Sequence, residues 1–251
     1  MTSFARTLYV AFLSLLMVGS LMAAPLPAGP GKQVAVFVAL CDNEYQGIEP
    51  VPAKIGNGQD ASANLYWGCS DALPKVMRAS ARWGHPVYYK EYDGRPEAVL
   101  EAVVCTNSDK TATVYAFAYR GDCIRECMLD FEAAIAASQY DFVAYIGHNG
   151  LMDEELAEPE PAVSHSDVAV LCCMSDEWFT ERVHRLGARP VLMTRQFMYP
   201  AGKVLTEALD AWLKSPSSCR TIRDAAARAY ANNQGISVKA ATGVFTSPAV
   251  K

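Results

Sequence analysis

Short apolar runs alternate with amphipathic segments along most of this chain of 251 residues. Runs such as VAVFVALC (34–41) have the length of a strand and are apolar throughout, which is typical of strands buried on both faces. Segments such as DCIRECMLDFEAAIAAS (122–138) repeat their apolar residues at helical spacing. The pattern predicts strands at 34–41, 85–93, 111–119, 140–147, 168–173 and 189–194, and helices at 71–84, 95–104, 122–138, 177–187, 201–215 and 219–235.

This alternation predicts the fold class. Strands that alternate with helices form an α/β domain in which a mostly parallel sheet carries helices on both faces, a three-layer sandwich. Functional residues in such sheets lie at the carboxyl ends of the strands. Four predicted strand ends carry polar or reactive groups: Asp42-Asn43, His148-Asn149-Gly150, Cys172-Cys173 with Ser175, and Thr194-Arg195-Gln196. The polar stretch 42–64 after the first strand is a long loop, and such loops are more often functional than idle.

The first residues have the layout of an export signal. Arg6 precedes an apolar run from Leu8 to Met22, and Ala23-Ala24 forms a small-residue cleavage region. We therefore expect a signal peptide at 1–24, a single domain at 32–251, and a periplasmic or secreted protein without a membrane span after cleavage. The apolar run is short for a membrane span, which needs about 20 residues. An uncleaved amphipathic anchor is the alternative.

Charge and cysteine content narrow the possible partners. The formal net charge is −5, so a nucleic-acid or anionic-membrane partner, which would require a basic face, is not expected. The eight cysteines are too sparse for a disulfide scaffold and contain no C-x-x-C pair typical of zinc sites. The chain also lacks the glycine-rich motifs of nucleotide sites and the G-x-S-x-G motif of serine hydrolases. We expect neither a metal nor a cofactor, and the oligomeric state stays open.

One histidine and one cysteine follow two buried strands that a right-handed crossover would bring side by side. An imidazole beside a thiol can take its proton, and a helix that starts just after the cysteine favours the thiolate. His148 and Cys173 are therefore the candidate base and nucleophile, with the backbone N–H groups of Gly150 and Cys173 as candidate oxyanion donors. Inert packing of a buried cysteine is the alternative, and His165 is the second choice of base.

Four stretches, in this order, resemble the caspase-like cysteine peptidases, the group that includes caspases, legumains, metacaspases and clostripain. They are VAVFVALCDNEY, NLYWGCSDALPKVMRASARWGHPV, YDFVAYIGHNG and VAVLCCMSDEWF, within residues 34–215. The last stretch is similar to A-C-E-S-G-S-M-F of the legumain branch. This similarity puts Cys173 on the nucleophile, Cys172 on the preceding small residue, Ser175 on the serine and Phe179 on the aromatic residue. The resemblance implies a caspase-like fold, a peptide or protein substrate, and hydrolysis through a thioester acyl-enzyme.

One feature departs from the family's pattern, and the residue that binds the substrate side chain is undecided. The family usually has His followed directly by Gly, whereas Asn149 here separates His148 from Gly150, so the oxyanion hole depends on where this longer loop places its N–H groups. Two charged residues at strand ends could bind a substrate side chain: Asp42 a basic one, Arg195 an acidic one. Charge alone does not decide between them.

Three functions are therefore open at this point. The first is an exported cysteine endopeptidase with a Cys173–His148 dyad. The second is a catalytically inactive member that keeps the fold as a binding or scaffold protein, which the inserted Asn149 motivates. The third is a periplasmic protein for thiol redox chemistry or metal handling.

Overall fold

The computed structural model describes residues 25–248, so the predicted signal peptide at 1–24 lies outside the described residues. The strands of this part are β1 (Lys32–Ala39), β2 (Val87–Tyr89), β3 (Val99–Thr106), β4 (Ala112–Tyr119), β5 (Phe142–Ile146), β6 (Asp167–Leu171), β7 (Arg189–Thr194) and β8 (Phe245–Thr246). The α-helices are α1 (Leu73–Ala79), α2 (Ile124–Ala137), α3 (Ser175–Arg185), α4 (Gly202–Lys214), α5 (Cys219–Gln234) and α6 (Val238–Thr242). Short 3₁₀ turns cover Gly121–Cys123 and Gly150–Met152.

All these strands form one sheet in the order β2-β3-β4-β1-β5-β6-β7-β8. The five central strands, from β4 to β7, pair in parallel, and β2, β3 and β8 add antiparallel pairings at the two edges. Helices α2 and α3 cover one face, whereas α1, α4 and α5 cover the other. The predicted α/β three-layer architecture with a mostly parallel sheet is therefore confirmed.

Burial on both faces explains why the central strands are mostly apolar. In β1, Val34, Val36 and Val38 pack against the layer of α1, α4 and α5, while Ala35, Phe37 and Ala39 pack against the layer of α2 and α3. Alternating side chains thus enter two separate cores. A polar residue at any of these positions would lie in one core or the other.

The helix predicted at 95–104 is wrong, because residues 95–98 form a turn and residues 99–104 belong to strand β3, which follows it. Its residues pair antiparallel with β4 from Val99 to Thr106, with an irregularity between Val99 and Glu101. The segment holds good helix formers, yet its valines suit a pleated and buried surface, and sheet pairing overrides the weak local preference. The buried carboxylate of Glu101 accepts a hydrogen bond of 2.6 Å from the indole of Trp67, so this polar residue is satisfied inside the domain.

Other predicted elements differ mainly in their ends. The strand expected at 85–93 shortens to β2, the helix expected at 71–84 shortens to α1, and the short elements α6 and β8 had no prediction. None of the helices within residues 25–248 is both long enough and apolar enough to cross a membrane.

The register of the central strands brings the candidate residues to one edge of the sheet. β5 and β6 are neighbours in parallel, and Ile146 lies opposite Leu171 at their carboxyl ends. His148 and Cys173 each follow two residues later, so both loops leave the sheet at the same height. Strand β1, on the other side of β5, delivers the long loop that begins at residue 40 to the same edge.

Candidate active site

A cavity of about 570 Å³ opens at the carboxyl edge of the sheet and contains both His148 and Cys173. Its walls come from four segments: the long loop after β1, the loop after β5, the turn after β6, and the loop after β7, with one residue from α5. The residues that line it are Gly47, Ile48, Glu49, Val51, Leu65, Tyr66, Gly147, His148, Met152, Cys173, Phe197, Met198, Tyr199, Pro200 and Tyr230.

The imidazole of His148 is held by a carboxylate that the sequence analysis missed. Its Nε2 lies 2.7 Å from Oδ2 of Asp153, and the ring is 8% exposed. Because the carboxylate is the acceptor, Nε2 carries the proton and Nδ1 is the nitrogen that can take one. Nδ1 has no hydrogen-bond partner within residues 25–248.

Local structure explains why Asp153 can reach a histidine five residues before it. The 3₁₀ turn Gly150–Met152 folds the chain back, and the backbone N–H of Asp153 donates to the carbonyl of Gly150 at the end of that turn. Oδ2 of Asp153 also accepts a hydrogen bond of 2.8 Å from the N–H of Gly47. Asp153 therefore joins the histidine loop to the long loop after β1.

Cys173 lies on a sharp turn between β6 and helix α3. The next residue, Met174, adopts a left-handed conformation with φ 53°, which is uncommon for a residue other than glycine and costs about 1–3 kcal/mol. The turn is held by the hydroxyl of Ser175, which donates to the carbonyl of Val170 and accepts from the N–H of Thr194. This strained turn presents Cys173 at the start of α3, whose positive end favours a negatively charged sulfur.

The two adjacent thiols have different surroundings, as strand alternation predicts. Cys172 is fully buried in the core beneath α2 and α3, and burial, with a smaller effect from Cys173, raises its thiol pKa well above the ordinary value. Cys173 is half-buried and lines the cavity. Its Sγ accepts a hydrogen bond of 3.4 Å from the N–H of Met198 and lies 3.7 Å from the carbonyl oxygen of the same residue.

Asn149 connects the histidine and cysteine loops. Its buried side chain donates from Nδ2 to the carbonyl of Cys173 over 2.7 Å and accepts at Oδ1 from the N–H of Leu151 over 3.1 Å. The residue that separates His148 from Gly150 thus has a structural role in fixing Cys173. Within residues 25–248 no direct hydrogen bond joins the His148 ring to the Cys173 sulfur.

The two backbone groups predicted as oxyanion donors lie in different places. A Cβ atom on Gly150 would lie 2.7 Å from Cε of Met128 on α2, so Gly150 packs against the helix and does not line the cavity. The N–H of Cys173 has no hydrogen-bond acceptor within residues 25–248 and belongs to a residue that does line the cavity. Gly147, before the histidine, also lines it.

Neither of the two predicted substrate-binding charges lines this cavity. Asp42 is buried, and its Oδ1 caps a turn by accepting from the N–H groups of Glu44 and Tyr45. Arg195 is exposed, forms an ion pair of 3.1 Å with Asp176, and lies in a separate pocket beside β8. The sequence located both at strand ends correctly, but their side chains point elsewhere.

Buried amides hold the long loop 42–64 in place. The side chain of Asn64 binds both the N–H and the carbonyl of Cys41, and the side chain of Gln46 binds the carbonyls of Leu40 and Gly121. The half-buried side chain of Asn43 adds to them by binding both backbone groups of Val51, at 3.0 and 2.7 Å. Satisfied buried amides of this kind restrain a loop as secondary structure would, so the loop forms a fixed wall of the cavity.

The cavity wall is mostly uncharged. Burial raises the pKa of the Tyr66 phenol, and burial together with the Asp71 carboxylate raises that of Tyr199, so both phenols stay neutral at physiological pH. Glu49 is the one Asp or Glu that lines the cavity within the described residues, and none of the lining residues is Lys or Arg.

The described residues contain no group of three or more His, Cys, Asp or Glu side chains placed to hold a metal ion. All eight cysteines lie within residues 25–248 and are present as free thiols. Comparisons of the chain with protein-family models, with curated proteins and with solved structures found no match. The caspase-like assignment therefore rests on the four sequence stretches and enters below as a proposal.

Proposed function

We propose that this protein is a cysteine peptidase of the caspase-like type, with Cys173 as nucleophile, His148 as general base and acid, and Asp153 as the group that orients His148. One observation carries the proposal: a single cavity contains a half-buried thiol and an imidazole whose Nε2 is hydrogen-bonded to the carboxylate of Asp153. Nucleophile, base and orienting group are the three parts that acyl transfer by a thiol requires.

The reaction follows from these positions. Nδ1 of His148 takes the proton of the Cys173 thiol, and the thiolate attacks the carbonyl carbon of the scissile peptide bond. The protonated imidazole gives that proton to the departing amine, which leaves a thioester on Cys173. Water then loses a proton to His148 and attacks the thioester, and the released thiolate recovers a proton as the carboxylic acid product leaves.

The N–H of Cys173 supplies one donor to the oxyanion in this scheme, because it is free of other acceptors. The scheme does not use Gly150, whose contacts lie with α2. Sγ of Cys173 must leave the backbone of Met198 and approach Nδ1 when substrate binds. Contacts of this kind are often loose without substrate and tighten in the substrate complex.

Labelling with an electrophilic peptide probe tests the proposal. A peptidyl acyloxymethyl ketone should alkylate Cys173 in the native chain, which mass spectrometry of the digested protein detects. Labelling should disappear in Cys173→Ala and His148→Ala and should persist in Cys172→Ala, the matched control at the neighbouring thiol. Loss in Cys172→Ala with retention in Cys173→Ala would assign the nucleophile to the other sulfur and contradict the scheme.

The second candidate is a binding protein without catalysis. It is favoured by one observation, the contacts of the Cys173 sulfur with the backbone of Met198 rather than with His148. Binding of peptides without labelling or turnover, and unchanged binding in Cys173→Ala, would support this candidate over the peptidase.

A further inference from the structure

We infer that the cavity beside Cys173 binds a bulky apolar or aromatic side chain of the peptide substrate. The segment around Val51, which Asn43 holds in place, forms the part of the wall that selects this side chain. This inference rests on the proposed function, because it names the substrate class of the same site. It replaces the charge-based choice between Asp42 and Arg195 with a choice based on the residues that line the cavity.

The chemistry of the wall favours an apolar group. Ile48, Val51 and Leu65 from the loop after β1 line the cavity, and so do Met198 from the loop after β7 and Tyr230 from α5. Each square ångström of apolar surface removed from water on binding contributes about 25 cal/mol. The volume of about 570 Å³ lies within the range of about 300–1,000 Å³ of pockets that bind small ligands, so it has room for the largest side chains.

Charge argues against an acidic side chain. An acidic group in the cavity would find no Lys or Arg among the lining residues, and Arg195, which pairs with Asp176, lines another pocket. Burying an unpaired charge is costly. A basic side chain could meet Glu49, but this residue is exposed, and exposed ion pairs contribute only about 0–1 kcal/mol.

The mouth of the cavity carries two large apolar side chains that water reaches. Phe197 is 73% exposed and Met152 is 40% exposed, and both belong to the cavity lining. They come from the loops after β7 and β5, on which Met198 and His148 also lie. Exposed apolar side chains gathered at a cavity indicate a surface that an apolar ligand covers.

The wall is held in its binding shape before any ligand arrives. Asn43 fixes Val51 through both backbone groups, and Gly56 approaches so closely that a Cβ there would lie 2.5 Å from the Asn43 amide. Elsewhere in the lining, the hydroxyl of Tyr230 accepts from the N–H of Tyr199, and its ring packs edge-on against Phe245. Preorganised walls lose little entropy on binding and therefore discriminate well.

A set of probes that differ only in the side chain before the reactive carbonyl tests the inference. We expect the rate of Cys173 labelling to be at least about tenfold higher with Phe or Leu at this position than with Asp or Arg, the usual scale for a hydrophobic pocket. The variant Val51→Arg should lower labelling by the Phe probe at least about tenfold and raise labelling by the Asp probe. Val163→Arg is the matched control, because Val163 is 82% exposed and does not line the cavity.

The outcomes separate this inference from the proposed function. Labelling of Cys173 that is equal for all probes, or fastest with Asp or Arg, would overturn the apolar preference while leaving the peptidase intact. If no probe labels Cys173, the binding affinities of the matching peptide amides show whether the cavity still prefers an apolar side chain. Tighter binding of the Phe amide than the Asp amide, weakened by Val51→Arg, would support apolar recognition without catalysis, whereas equal binding would overturn the inference as well.

Discussion

Replacement of Asp153 by asparagine separates the charge of this residue from its position. Oδ2 of Asp153 accepts from Nε2 of His148 over 2.7 Å and from the N–H of Gly47 over 2.8 Å. A backbone N–H can only donate, so the asparagine amide must turn its oxygen toward Gly47 and therefore also toward His148. Asp153→Asn is thus expected to keep the tautomer and orientation of the ring and to lose only the negative charge.

The size of the effect follows from the kind of hydrogen bond that is weakened. A hydrogen bond to a charged group contributes about 1.5–3 kcal/mol and a neutral one about 0.5–1.5 kcal/mol, so the change from carboxylate to amide costs about 1–1.5 kcal/mol. In the proposed scheme the imidazolium of His148 forms during the reaction, so this loss appears in the barrier as a decrease of about 5–13-fold in the rate. Asp153→Ala should lose more, because it also frees the ring and releases Gly47 from the cavity wall.

The first assay is the second-order rate constant of Cys173 labelling by a peptidyl acyloxymethyl ketone. Where a cleaved peptide is available, kcat and KM for its hydrolysis are measured as well. Asp153→Asn should lower kcat with little change in KM and little change in melting temperature. Glu154→Gln is the matched control, since Glu154 is the next carboxylate along the chain and its side chain pairs with Arg125 at the surface. A rate within twofold of the native protein in Asp153→Asn, while His148→Ala is inactive, would refute the role of Asp153.

Three further predictions concern the supports of the site and the cores around it. Asn149→Ala removes two hydrogen bonds of a buried side chain and should lower the free energy of unfolding by about 1–3 kcal/mol, measured by urea denaturation. Glu132→Ala leaves the buried guanidinium of Arg182 without its carboxylate, which lies 2.6 Å away, and should cost about 3–5 kcal/mol in the same assay. Burial raises the pKa of Cys41 and Cys105 from 9.0 to about 11, so the folded chain keeps these protons at pH values where the unfolded chain has lost them. The stability that is present below pH 9 should therefore fall as the pH rises toward 11. A series of melting temperatures across this pH range measures the effect.

Each of these three predictions has its own contradicting result, and Asn149→Ala also has a control variant. Asn233→Ala, at an exposed position of α5, should leave unfolding unchanged, and an equal loss in both asparagine variants would deny Asn149 its special role. A loss below 1 kcal/mol for Glu132→Ala would mean that water satisfies Arg182. A melting temperature that stays flat from pH 9 to 11 would show that the two thiols titrate alike in the folded and unfolded chain.

The central strands and the two reactive residues were predictable because they depend on simple periodic rules. Strands β1, β5, β6 and β7 are mostly apolar since both of their faces are buried, and parallel strands deliver their carboxyl ends to one edge. His148 and Cys173 follow β5 and β6 by the same two residues, so their common cavity follows from the register.

Features that depend on side-chain direction or on non-local pairing were not predictable in this way. Asp153 reaches His148 through a 3₁₀ turn that has no periodic signal, although its position in a D-E run soon after the histidine was the available hint. Asp42 and Arg195 follow strands as expected, yet Asp42 turns into a loop cap and Arg195 toward Asp176. Strand β3 mixes helix-forming residues with valines, and its pairing with β2 and β4 decides its conformation.

The reaction is expected to pass through a thioester on Cys173, and detection of this thioester tests the proposed function most directly. Acid quenching of the protein within one turnover of a Phe- or Leu-containing ester or peptide substrate, followed by mass spectrometry of the intact chain and its digest, measures that adduct. We predict an increase equal to the acyl part of the substrate, located on Cys173, absent from Cys173→Ala and present in Cys172→Ala. Turnover with no adduct on Cys173, or turnover that survives in Cys173→Ala, would contradict the account.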